Sequence, residues 1–339
     1  MNKLVLALAL IALVSCKIDY EAIAFHKFQK FIKKYHKKYT SIQEYMARFT
    51  VFKANLLKAF SYTYGNEDLP FTTGVTKFSD LTEQEFAKTY LNLDFGAMAY
   101  ANFSPETVKI SNAAPDAFSW KDQGVVSGVK DQASCGSCWA FSTVGNLEGL
   151  YAIKKGTVKT FSEQYLVDCD TSDSGCNGGL MERTFTWLKS AGGIMYESDY
   201  AYTGSKGTCK KDTTKFADFK VTGYKKLGTS SSTFSPVDEG EVKEYLYATG
   251  PLAIALNATP LQTYTGGVLD LTASKCSTSG INHAVLLVGY GHDSSTDLDY
   301  WLVKNSWGSS WGESGYFRIS RGKSTCGVNY YVTTALVSF

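Results

Sequence analysis

The chain has 339 residues, 44% of them hydrophobic, with 34 Lys+Arg against 32 Asp+Glu, four His and eight Cys. That length holds one or two domains with a large core, and so even a charge balance excludes a nucleic-acid binder that works through a basic surface. Only two histidines follow residue 114, which leaves few metal ligands, so neither a metal nor a cofactor is expected.

Lys3 gives a positive start, residues 4–14 form an unbroken apolar run, and Val14, Ser15 and Cys16 offer a small-residue cleavage site. Residues 1–16 therefore read as a secretory signal peptide. The ending also fits a bacterial lipoprotein signal with Cys16 lipidated. The run is short for a bilayer span and no second one follows, so no stable membrane anchor is expected. The destination is then the lysosome, a digestive vacuole or the outside of the cell.

Residues 17–113 carry 13 Lys+Arg and 10 Asp+Glu, and residues 114–339 carry 20 and 22, opposite net signs that suit two segments packed together. Phe28, Phe31, Tyr35 and Tyr39, then Tyr45, Phe49, Phe52 and Leu56, recur at steps of three and four. They predict two amphipathic helices with Thr40 and Ser41 between them. With no cysteine staple and no sheet partner beyond residues 71–78, this segment reads as a clamp on the downstream domain. From 93 to 117 the periodicity fades and Gly96, Pro105 and Pro115 appear, a connecting strip open to proteolysis. Asn102 and Asn257 begin N-x-S/T triplets and are glycosylation candidates, the second with Pro260 just after its triplet.

After residue 114 the chain divides into a mainly helical half, 114–225, and a mainly β half, 226–339. Helical patterns start at Cys138, after Ser162 and near Leu180, and a further one spans 238–248. Strand patterns follow at 252–256, 283–290, 300–304, 315–320 and 330–337, which predicts an antiparallel, barrel-like sheet. A helical half beside a β half leaves a cleft between them, a usual ligand site.

Without Cys16 seven cysteines remain, an odd number, so in an oxidising compartment at least one is free or pairs with another chain. Residues 132–142 run from small residues and two cysteines into a buried helix at about Cys138. A thiol there faces the positive end of the helix dipole and its unpaired N–H groups, which favour thiolate. A cysteine nucleophile benefits from a base. His283, opening an apolar strand with its ring at a strand end, suits that role better than His292, which looks like an exposed turn residue.

Residues 132–142, Asn282-His283-Ala284, and residues 305–308 through Trp311 and Gly312 together resemble the papain-like cysteine proteases, most nearly the cathepsin L-like members. The similarity covers nearly the whole chain after the signal. It implies an α+β, papain-like two-domain fold, with a helical left domain, an antiparallel β-barrel-like right domain and the active-site cleft between them. It also implies that residues 17–113 are an inhibitory, I29-like propeptide and residues 114–339 the peptidase. Cys138 would be the nucleophile, His283 the general base and acid, and Asn305 the amide that orients the imidazole, shielded by Trp307. Gln132 and the Cys138 backbone N–H would form the oxyanion hole. The resemblance pairs Cys135 with Cys176, Cys169 with Cys209 and Cys276 with Cys326, leaving Cys138 free for a thiolate–imidazolium pair.

Substrate binding is carried over to Gly178, Gly179, Leu180, Met181, Ala255, Asn282, Ala284, Trp307 and Tyr331. Gly179 would hydrogen-bond an extended peptide, and the pocket for the second residue before the scissile bond should accept Leu, Phe or Val. Tyr331 stands at its floor where cathepsin L has a small residue, which makes the pocket shallower. Glu44, Arg48, Phe52, Asn55, Gly74, Phe78 and Asp80 match the propeptide motifs, whereas Ala59, Thr63 and Thr76 depart from them. Acid should weaken the clamp by protonating carboxylates such as Asp80, with cleavage near 112–114. The expected protein is thus an endopeptidase zymogen, since no histidine-bearing insertion blocks the cleft. It should be a monomer acting on polypeptides, with its own propeptide and cystatin-like inhibitors as partners. Two readings compete: a disulfide oxidoreductase using Cys135 and Cys138, and a catalytically inactive papain-like binding protein.

Overall fold

The computed structural model describes residues 20–63, 69–93, 114–228 and 235–339. The signal peptide, Asn102, most of the connecting strip and residues 112 and 113 lie outside them, as do residues 229–234 of the Ser/Thr-rich loop.

Aromatic periodicity becomes helix α1 over residues 20–34 and helix α2, Ile42–Thr63. Phe28, Phe31, Phe49, Phe52 and Leu56 close a small core between them. Tyr35 and Tyr39 fall beyond α1, because His36 takes a left-handed φ of 51° and ends the helix early. Strand β1 (Phe71–Thr73) then leads to α3 (Glu83–Tyr90), which opens on a capping box between Thr82 and Glu85.

In the second segment β2 (Phe118–Ser119) precedes α4 (Cys138–Lys155), which is buried almost all round and ends at the left-handed Gly156. A helix with so little polar face belongs in an interior. Then come α5 (Glu163–Cys169), capped by Ser162, α6 (Met181–Ala191), β3 (Lys220–Lys226) and α7 (Glu239–Thr249). The remaining strands are β4 (Leu252–Leu256), β5 (Tyr264–Leu269), β6 (His283–Asp293), β7 (Leu298–Lys304), β8 (Tyr316–Ser320) and β9 (Tyr331–Ser338).

The sheet runs β1-β5-β8-β7-β6-β4-β9-β3, with β2 beside β6. It differs from a purely antiparallel sheet at one joint, where β5 and β8 pair parallel. The expected boundary at 225/226 falls inside β3, because that strand pairs with β9 at the far end of the chain. Packing also crosses the boundary: Ala253, Ala255, Ala284 and Tyr331 of the sheet share one core with Trp139, Val144 and Phe185 of the helices. The N-terminal segment joins the sheet through β1 on β5, and Phe78, Phe86 and Tyr90 enter the second large core. No helix among the described residues is long and apolar enough to cross a membrane.

Candidate active site

Cys138 is the first residue of α4 and is fully buried. His283 is the first of β6, and Asn305 follows directly on β7. The β6–β7 pairing, with Leu286 opposite Lys304, brings Asn305 back beside His283. The Ser142 hydroxyl donates to the Val285 carbonyl at 2.8 Å, which docks the start of α4 onto the start of β6. Cys138 and His283 thus come from facing elements of the two halves. His283 Nε2 meets Asn305 Oδ1 at 2.9 Å, and Trp307 stacks on the imidazole at 4.7 Å between centroids. The other ring nitrogen, Nδ1, is buried without a hydrogen-bond partner among the described residues.

Gln132 is equally buried, and its amide has a fixed orientation. The Ser306 hydroxyl donates to Oε1 at 2.7 Å, so Nε2 is left as the donor, reaching Cys135 O at 3.0 Å and Tyr90 O at 3.4 Å. Gly178 takes a φ of 117°. At Gly179 a Cβ would lie 2.6 Å from the Trp139 ring and 2.8 Å from the Asp173 carboxylate, so only glycine allows the chain to pass.

The N-terminal segment packs against these residues. Phe78 and Phe86 lie edge-on to Trp307, at 5.1 and 5.4 Å between centroids, and Lys77 Nζ reaches Asp131 Oδ2 at 2.6 Å. Leu93 pairs parallel with Gly179, donates its N–H to the Asn282 carbonyl at 3.1 Å, and joins the buried cluster of Leu180, Met181, Ala255, Ala284 and Tyr331. The last three form a row across β6, β4 and β9, with Ala284 opposite Ala255 and Ala255 opposite Tyr331. Lys226 Nζ lies 4.9 Å above the Tyr331 ring, closing the row from behind.

In the folded chain, burial holds Cys138 and His283 toward their neutral forms. Burial pushes the Cys138 thiol up to about 11, against the backbone N–H groups of Ala284, Trp139 and Cys138 itself. Burial likewise lowers His283 to about 4, against Asn305 and the Tyr90 backbone. Both groups are neutral near pH 7.

Cys135 is bonded to Cys176, Cys169 to Cys209 and Cys276 to Cys326, and Cys138 is free. With Cys135 so engaged, Cys135 and Cys138 are not a redox dithiol. Asn282 contributes its carbonyl to the cleft; its side chain turns away to the Ala258 N–H and the Thr259 hydroxyl. Asn257 is unsuited to a glycan: it is buried, its amide donates to Ser277 O at 3.0 Å, and its Oδ1 accepts from Thr259 N at 3.1 Å. His292 is exposed on β6 rather than in a turn, nine residues from His283, or about 30 Å along a strand. Sequence reasoning passed over Ser306 although it lies inside the matched Asn305–Trp307 block, and it passed over Tyr90 and Leu93, which no local pattern marks.

Comparison with known proteins agrees with this architecture. Residues 114–336 match the papain family cysteine protease domain, and residues 28–86 the cathepsin propeptide inhibitor domain (I29). Cysteine proteinase 15A of Pisum sativum is 42% identical over 332 residues, covering 93% of this chain and 87% of that protein. Cathepsin F of Drosophila melanogaster is 40% identical over 92% of this chain and 50% of that protein. The structure of digestive procathepsin L2 from Tenebrio molitor larval midgut superposes with a TM-score of 0.83 at 35% identity, covering 92% of this chain and 99% of that one. The chain belongs to the papain family of cysteine proteases, as a zymogen whose propeptide closes its own active site.

Proposed function

We propose that the chain is an endopeptidase in which Cys138, His283, Asn305 and Gln132 carry the reaction. Once the propeptide leaves, the Cys138 thiol gives its proton to His283 Nδ1 and the sulfur attacks the peptide carbonyl carbon. The oxygen takes up negative charge against Gln132 Nε2 and the Cys138 N–H. The imidazolium then protonates the leaving amine, and a thioester remains. Water attacks the thioester with His283 as base and restores the thiol. Asn305 holds the ring by Nε2 throughout, which leaves Nδ1 for proton transfer. One observation carries this reading: a peptide carbonyl, Tyr90 O, already stands 3.4 Å from Gln132 Nε2, the place a substrate carbonyl would take.

The pocket row supports a preference for Leu or Val over Phe at the second residue before the cut. Leu93 lies in the same cluster, and Tyr331 fills the depth a larger ring would need. The apolar start of the sequence supports a secretory route to lysosome, digestive vacuole or medium, where cystatin-like inhibitors are the expected protein partners. The test is to activate the zymogen in acid with a reductant and profile a peptide library. Cleavage should follow Leu and Val, vanish in Cys138→Ala, and extend to Phe in Tyr331→Ala. Cleavage that survives in Cys138→Ala, or reduction of insulin without peptide-bond cleavage, overturns it.

A further inference from the structure

The loop that carries both oxyanion donors, residues 132–138, is held by a residue far along the chain. Tyr202 Oη lies 2.8 Å from the Gln132 carbonyl and 2.7 Å from Ser137 Oγ. A carbonyl can only accept, so the single phenol proton goes to Gln132 O and the Ser137 hydroxyl donates to Tyr202. Together with the bond from Gln132 Nε2 to Cys135 O, at 3.0 Å, this ties the first and last turns of the loop together. Ser137 immediately precedes Cys138, whose N–H is the second donor. The phenol is itself fixed: its ring stands edge-on to Phe141 at 4.9 Å, and the Tyr202 N–H donates to Glu197 Oε1 at 2.9 Å. The loop needs a constraint, because Ala133 is held at a left-handed φ of 52°. Two residues past Tyr202, a Cβ on Gly204 would come within 3.2 Å of the Ala133 Cβ, so the same turn runs close beside the loop.

We propose that Tyr202 is a positioning residue for the oxyanion hole, its hydroxyl clasping Gln132 and Ser137 so that both donors converge on one point. The proposal rests on the reading of Gln132 and the Cys138 N–H as that hole. Donors aimed at a developing charge lose their effect when displaced by a fraction of an ångström, whereas substrate binding in the pocket row does not depend on them. The clasp therefore acts on kcat and not on KM.

The test compares Tyr202→Phe, Ser137→Ala, the double variant and Gln132→Ala in activated enzyme, using a peptide anilide and, separately, iodoacetamide. Alkylation displaces iodide from carbon and develops no oxyanion, so it reads the thiolate alone. Tyr202→Phe should lower kcat on the order of tenfold, with KM and the alkylation rate within about twofold. Ser137→Ala should act in the same direction, and the double variant should be no worse than Tyr202→Phe. Native kcat in Tyr202→Phe beside a large loss in Gln132→Ala overturns the clasp and spares the hole. Alkylation that falls in step with kcat overturns it too, since Tyr202 would then act on the thiol or the fold. An unimpaired Gln132→Ala removes the hole and the clasp with it.

Discussion

Two opposing effects meet at Cys138. The end of α4 favours the thiolate by at most about 2 kcal/mol, the upper range for a helix terminus. Burial works the other way and outweighs it, leaving a net rise from 9.0 to about 11, or roughly 3 kcal/mol against ionisation. In the intact zymogen the Cys138 thiol is therefore held neutral as well as buried. At pH 7 iodoacetamide should alkylate Cys138 in the intact zymogen more than about a hundredfold slower than in the activated enzyme. Rates within tenfold of each other would show that the cover leaves the thiolate intact. The sequence pointed to Cys138 and His283, since each opens an element whose pattern is strong, and to Asn305 only through the family resemblance. It could not announce the protonation state of Cys138 and His283, because that depends on how deeply the folded chain buries the two groups.

Elements were legible wherever one face is buried. Strand β4 is found at the predicted residues, α6 begins one residue past Leu180, and α7 begins and ends one residue later than its pattern, because alternation and helical spacing record burial directly. Pairing was not legible. Nothing local says that β5 joins β8 in parallel or that β1 docks on β5, as both depend on where distant strands arrive. The same holds for the ionic group under the site, where Lys130 Nζ meets Glu148 and Glu163 at 2.7 Å each and Lys304 Nζ meets Ser127 Oγ at 2.9 Å. These residues look like ordinary surface charges in the sequence. The propeptide contact most exposed to test is Phe78, fully buried between Phe86, Tyr90 and Trp307 at 4.9, 4.7 and 5.1 Å. Truncating a buried Phe costs about 3–5 kcal/mol, part of it from the docked interface. The unprocessed Phe78→Ala zymogen should therefore leak activity at pH 7 by about a hundredfold over the parent, whereas Phe25→Ala, at a ring 47% exposed, should not. Equal leakage from both would mean that the aromatic dock does not hold the cover in place.

Across the whole molecule, mild acid acts with opposite signs on the depressed carboxylates of the propeptide and the buried, raised carboxylates of the peptidase. In the propeptide the Arg48 guanidinium holds Glu85 below the usual carboxylate range, and Thr40 does the same for Glu44. A depressed carboxylate stabilises above its unfolded pKa and loses that contribution as pH falls through the folded one, so these contacts fail below about pH 4.5. In the peptidase, burial and the Asp170 carboxylate push Asp173 up to about 7, and burial raises Glu182 and Glu197. Raised carboxylates stabilise fully below the unfolded pKa and lose that contribution as pH rises through the folded one. The peptidase therefore tolerates the acid that loosens its cover. His283 links the two segments. Covered, it titrates near 4; solvent returns it toward its ordinary 6.5, so between those values protons bind the uncovered state better. By linkage that favours opening by about 2 kcal/mol at pH 5, in a range where Glu85 still holds. In a Cys138→Ala background, which cannot process itself, susceptibility of the propeptide to an added protease should rise about tenfold from pH 6.5 to 5 and further below 4.5. Adding His283→Gln should abolish the first rise and keep the second. If both variants give the same profile above pH 5, the imidazole does not couple acid to release, and the propeptide carboxylates alone set the threshold.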